Sequence, residues 1–301
     1  MHPADRIQAA IEATGSIAVV GLDPRPTLIP PALRAEAARR WGETRLAVAW
    51  AFAEFNRRLL AAVHGACCAV KLQLACYEAY GAPGLQALED SVTEARRLGI
   101  PVILDGKRGD IGDSAQLYAE AWLGAPAGFA GPLPAGASGD WLTVHPWLGS
   151  ETLAPFCAHG GIFVLVKTSN PGSGELQDRA LAEGGSVAEA VARLVHRLGE
   201  GRRGACGLSS VGAVVGATWP EQARRLRALL PDALFLVPGY GAQGASAEAA
   251  LAGLRRDGRG CIVNSSRAII GAWQHAASSD WTAAARAALE AMNEELRRAR
   301  G

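Results

Sequence analysis

Residues 102–115, reading VILDGKRGDIGDSA, set two carboxylates and an ammonium at short spacing: Asp105, Lys107 and Asp110. A short apolar run closed by charges reads as a buried parallel strand whose last residues emerge at a sheet end. Residues two apart on a strand share a side, so Asp105 and Lys107 are expected to project together, with Asp110 on the loop beyond. A lysine held between acids can deliver a proton and place positive charge beside a developing anion. Crowded charges of this kind are often kept for chemistry. They also occur as structural ion pairs at a barrel rim, and spacing alone leaves both readings open.

Such a strand end must be presented by a scaffold. Further apolar runs at 17–22 (IAVVGL), 66–74 (ACCAVKLQL), 141–144, 161–167 (GIFVLVK), 211–215, 234–237 and 261–263 alternate with helical patterns at 45–64, 85–98, 114–123, 187–198, 220–230, 246–255 and 281–300. About eight short strands alternating with helices predict a single (β/α)8 (TIM) barrel over 1–301. A doubly wound open sheet is the alternative, but VGLDPRP follows the first strand where a GxGxxG fingerprint would stand. The Gly/Ala/Pro-rich stretch 124–139 (GAPAGFAGPLPAGASG) reads as a surface excursion that is free to move.

A barrel collects its functional residues at the C-terminal ends of its strands. Those ends are Asp23, Lys71, Asp105 with Lys107, His145, Thr168 with Ser169, Pro238 with Gly239, and 264–267. Loops after the seventh and eighth strands commonly bind phosphate in barrels. Here the seventh offers PGYGAQGA, whose glycines let backbone N–H groups approach an anion, and the eighth offers NSSRAI, an arginine beside hydroxyls. A phosphorylated small molecule follows from this arrangement.

The chain has 301 residues, 49% of them hydrophobic, with 30 Lys+Arg against 29 Asp+Glu. Near-neutrality argues against nucleic-acid or membrane-surface partners, which lean on a basic excess. Six cysteines without a CxxC pair read as reduced core thiols, and the six histidines lack metal-ligand spacing. The opening segment is amphipathic without a signal-peptide block, and no apolar run approaches the roughly 20 residues of a membrane span. A cytoplasmic location is expected.

The segment DGKRGDIGDS resembles the Asp-x-Lys-x-x-Asp-Ile signature of the orotidine 5'-phosphate decarboxylases, in the bacterial form with KRGDIG at that place. The likeness extends through VGLDPRP, VKLQLACYEAYG, KTSNPGSGELQD, VPGYGAQGA and VNSSRAI, in order. It implies removal of CO2 from orotidine 5'-monophosphate to give UMP, with no metal or organic cofactor, by a homodimer with a shared active site. By the same resemblance Lys107 donates the proton to C6 and Asp105 lies beside the substrate carboxylate. Asp110 reaches the neighbouring subunit's site, and Lys71 joins the charge network and, with Asp23, holds ribose hydroxyls. Ser114 stands near that ribose, Ser169 contacts the pyrimidine, and Gln243 and Arg267 hold the phosphate.

Plainer readings exist for each residue. Lys71 could snorkel from a strand end, Asp23 could be turn chemistry before Pro24, and Ser114 could be only a helix N-cap. Gln243 could fill a loop, and Arg267 could be a surface arginine. His145 and Lys167 read as packing or rim charges. A rival is the Mg-dependent sugar-phosphate decarboxylase or synthase of the same barrel superfamily, for which Glu78 is the residue to watch, though Lys71 disfavours a cation. A catalytically silent nucleotide-binding barrel is a rival of another class.

Overall fold

The computed structural model describes residues 1–241, 244–276 and 280–301. Eight parallel strands close a barrel in chain order: β1 (Ala18–Leu22), β2 (Ala69–Gln73), β3 (Val102–Arg108), β4 (Trp141–Val144), β5 (Gly161–Lys167), β6 (Ser209–Val215), β7 (Ala233–Val237) and β8 (Cys261–Ser265), with β8 pairing back on β1. The expected (β/α)8 architecture is what forms. Both strand faces are buried, which is why the runs are almost continuously apolar rather than alternating.

Alternation shows in which side each residue serves. Val19, Ala69, Ile103, Trp141, Phe163, Leu234 and Ile262 fill the barrel interior, where Trp141 stacks on Phe163 at 4.3 Å. Outward residues pack under the helices. The helix Pro3–Thr14 plugs one end: Ala4 and Ile7 join the interior cluster, and the Trp141 indole donates to the Pro3 carbonyl at 3.4 Å. The next inward layer, at the opposite end, carries Lys71, Asp105, Thr143, Leu165, Val214, Leu236 and Asn264 around an open cavity of about 500 Å³.

Several elements depart from the sequence expectations. Helices Pro31–Trp41, Ala154–His159 and Gly174–Gln177 form in stretches for which the sequence gives no helix. The helix expected over 246–255 is only Ala247–Ala250, since Leu251 already leaves helical geometry. The 124–139 excursion is stapled down rather than loose. The Arg96 guanidinium donates to the Gly136 carbonyl at 3.2 Å and also to Ser138, and the Gly139 N–H donates to the Trp122 carbonyl at 2.8 Å. Backbone hydrogen bonds within it close a tight turn with Phe129 fully exposed at its tip.

Candidate active site

Asp105 is the hub. On β3 its Oδ2 accepts from the Lys71 ammonium at 2.9 Å and the Gln73 amide at 3.1 Å, both from β2. Its Oδ1 accepts from the Lys107 ammonium at 2.5 Å and the Thr143 hydroxyl on β4 at 2.9 Å. Lys71 also reaches Asp23, beyond β1, at 3.4 Å. The result is an alternating chain, Asp23–Lys71–Asp105–Lys107, running from a buried lysine (5% side-chain exposure) to one that is 47% exposed. Burial pushes the Asp105 carboxyl up, yet Lys71 and Lys107 overcome this and hold it well below the usual carboxylate range. Burial likewise opposes charge on Lys71, and Asp105 with Asp23 more than reverse it, raising the ammonium above its ordinary value.

Asp105 and Lys107 do project together, though not by simple alternation. The β3–β4 register shifts between Leu104 and Arg108, and Lys107 takes φ = 49°, the only non-glycine positive φ among the described residues. That left-handed turn is held by the Lys107 N–H donating to Thr143 Oγ1 at 2.9 Å. A bulge here re-aims a side chain, and backbone strain concentrates at functional sites. Beyond it, the His145 ring packs so closely on Gly109 that a Cβ there would lie 2.4 Å from Nε2.

A second lobe of about 220 Å³ adjoins the first and shares Lys71, Asp105, Pro238 and Asn264 with it. Asp23, Arg25 and Arg267 line it, together with the loop after β7, where Gly239 takes φ = 98°. The Tyr240 hydroxyl donates to Glu295, tying that loop to the C-terminal helix Trp281–Arg300. Ser169 lines the first lobe on a loop fixed from below: Lys167, fully buried, pairs with Asp178 at 2.8 Å, and the Trp219 indole donates to the Thr168 carbonyl at 2.9 Å. Lys167 is therefore a loop anchor and not a rim charge.

Thus Asp23, Lys71, Asp105, Lys107, Ser169 and Arg267 converge on one cavity. Asp110 does not join them within the chain; its Oδ1 accepts from the Ile111 N–H at 2.8 Å. Ser114 is exposed and lines neither lobe. It is the third residue of the helix Gly112–Leu123, whose N-cap is Ile111, because that helix starts two residues earlier than the apolar periodicity indicates. Gln243 lies outside the described residues. Glu78, the possible metal ligand, is engaged by Arg108. Among the described residues no cluster of three or more His, Cys, Asp and Glu is placed to hold a metal. The sequence places Asn264 at a strand end without giving it a role, and Gln73 and Thr143 escape it altogether. Only their inward position at the mouth marks them.

The profile of the orotidine 5'-phosphate decarboxylase / HUMPS family matches residues 19–280. The chain belongs to this family. Among its relatives, the orotidine 5'-phosphate decarboxylase of Rhodopirellula baltica is 43% identical across 98% of both chains. That of Deinococcus radiodurans is 46% identical over 80% of this chain and 82% of its own. The solved Leishmania donovani OMP decarboxylase superposes with a TM-score of 0.75 at 33% identity, covering 100% of this chain and 99% of that one. Full-length identity to decarboxylases places the chain on that side of the family, and the Mg-dependent sugar-phosphate alternative is not favoured.

Proposed function

We propose that this chain decarboxylates orotidine 5'-monophosphate to UMP and CO2 in pyrimidine nucleotide synthesis. The observation that carries the reading is Asp105 bonded to both Lys71 and Lys107 at the floor of a cavity whose other lobe holds Arg267. Phosphate bound by Arg267 and the β7 and β8 loops, with Gln243 assigned there by family resemblance, anchors the substrate. Binding energy at this remote group is then available to the reacting carbon. Asp23 and Lys71 take the ribose hydroxyls and Ser169 the pyrimidine, while Ser114, which lines neither lobe within the chain, can meet the family pattern only from a second copy. The carboxylate to be lost lies toward Asp105. As the C6–carboxyl bond breaks, its electron pair stays on C6, CO2 leaves, and Lys107 transfers a proton from Nζ to C6. The lysine regains that proton from solvent.

A homodimer with shared sites completes the reading. Ile111, Leu117 and Trp147 are 63%, 64% and 57% exposed. They lie on neighbouring segments, since Gly109 packs against His145. An apolar surface there fits a second copy, with Asp110 delivered to its site. No described helix is long and apolar enough to cross a membrane, and all six cysteines are unpaired, which supports a cytoplasmic location. Loss of orotidine 5'-monophosphate absorbance in the presence of EDTA tests the whole: turnover is expected unchanged by the chelator. Turnover that appears only with added metal would reject it. Arg267→Ala should raise KM by about 10- to 100-fold with a smaller effect on kcat, the scale of a charge-assisted contact; an unchanged KM would remove Arg267 from the phosphate site.

A further inference from the structure

We infer that Asn264 is a further substrate-positioning residue, its amide hydrogen-bonding the ribose of the nucleotide at the junction of the two lobes. This rests on the decarboxylase reading above. Four residues line both lobes: Lys71, Asp105, Pro238 and Asn264. Lys71 and Asp105 are engaged with each other and with their neighbours, and the proline ring offers no donor. Lys71 keeps one of its three donors for the ribose, but Asn264 alone among them has a buried polar atom with no partner at all. It is 92% buried, on the inward face of β8 one layer above Ile262. Its Oδ1 has no partner, and its Nδ2 makes one long contact, 3.4 Å to Ser266 Oγ.

The surroundings are shaped around this amide. Across from it β1 carries Gly21, where a Cβ would lie 1.8 Å from Ser266 Oγ. The first strand thus leaves out its inward side chain, and the Ser266 hydroxyl occupies the space beside Asn264. A buried amide with an unused end is unfavourable for folding, and it persists where a ligand supplies the partner. The two lobes indicate which part of the ligand does so. The first has an apolar wall, Leu165, Val214 and Leu236, suited to the flat base, and the second has Arg267, suited to phosphate. Between base and phosphate lies the sugar, whose hydroxyls donate and accept, as the neutral amide does.

Asn264→Ala tests this in the full-length enzyme. KM for orotidine 5'-monophosphate and Kd for UMP should each rise about tenfold, with kcat changed by less than about threefold. The ligand-free melting temperature should stay level or rise, because an unpartnered amide has been removed, while the rise caused by UMP shrinks. With 2'-deoxy-UMP or 3'-deoxy-UMP, one of the two should bind the variant as well as it binds the wild type, since the partner hydroxyl is already missing. Unchanged KM and Kd would overturn the assignment, as would an equal loss of affinity for UMP and both deoxynucleotides. If Asn264→Ala is insoluble, Asn264→Ser, whose hydroxyl is too short to span the junction, is read the same way. Wild-type enzyme without turnover would instead sink the decarboxylase reading, and wild-type turnover beside an unaffected variant removes only this inference.

Discussion

Lys107→Ala should abolish decarboxylation, with kcat reduced by at least about 10⁴-fold, while UMP still binds. Two losses combine. General acid catalysis by a positioned side chain is worth about 10²–10⁴-fold, and preorganised charge at a developing anion about a further 10²–10³-fold. Lys107 supplies both, 2.5 Å from Asp105 at the cavity floor. The ground-state contacts to phosphate and ribose come from other residues, so affinity for UMP should change little. The fold should also tolerate the change. Lys107 is 47% exposed, and Asp105 keeps Lys71, Gln73 and Thr143 as donors. Lys107→Arg separates the two contributions: it retains positive charge but holds its proton at any accessible pH, so it should remain inactive. Activity in either variant within tenfold of wild type would remove Lys107 as the acid. Mixing inactive Lys107→Ala with inactive Asp110→Ala tests the shared site. Mixed dimers assemble one site with both residues intact and should regain part of the activity, whereas two sites each complete in one chain would give none.

The barrel was legible because parallel strands buried on both faces leave an apolar signal that needs no tertiary information, and 161–167 coincides with β5 residue for residue. The short helices were not. Pro31–Trp41 begins on the second of two adjacent prolines and has few buried residues, Leu33 and Ala37, so its apolar period is faint. In the site, the acid–lysine–acid chain could be anticipated from residue types at strand ends. The route by which Lys107 reaches Asp105 could not, since the left-handed turn is imposed on a lysine by the register shift against β4 and by the Thr143 hydroxyl, contacts remote in sequence. Thr143 and Gln73 look like any polar strand residue until the barrel closes and turns both toward Asp105. Asp110 and Ser114 show the converse: motif position marks them, yet one chain's geometry leaves them outside the cavity, and a second chain is what the dimer reading adds.

Asp105→Ala should affect stability and rate together, because one carboxylate serves two ammonium groups. Removing one partner of a buried ion pair costs about 3–5 kcal/mol, since the remaining charge is left poorly compensated. Lys71, 5% exposed, would retain only Asp23 at 3.4 Å. The rate should fall by at least about 10³-fold, as Lys107 loses the group that aims it and the substrate carboxylate loses its charged neighbour. The pH dependence has a definite sign. Asp105 has its carboxyl pKa lowered by folding, so its contribution is present above the unfolded value of about 4 and is lost as pH falls toward the folded one. Lys71 has its ammonium pKa raised, so its contribution is complete below about 10.4 and fades only as pH climbs beyond that. The stability gap between wild type and Asp105→Ala, from urea unfolding, should therefore be level from about pH 5 to 10 and narrow in acid. A gap that changes steeply between pH 6 and 8 would mean that a group titrating near neutrality, and not this carboxylate–ammonium chain, governs the site. A gap below about 1 kcal/mol would mean that the four bonds to Asp105 are replaced by solvent at little loss, leaving the cluster no part in holding Lys107 against the substrate.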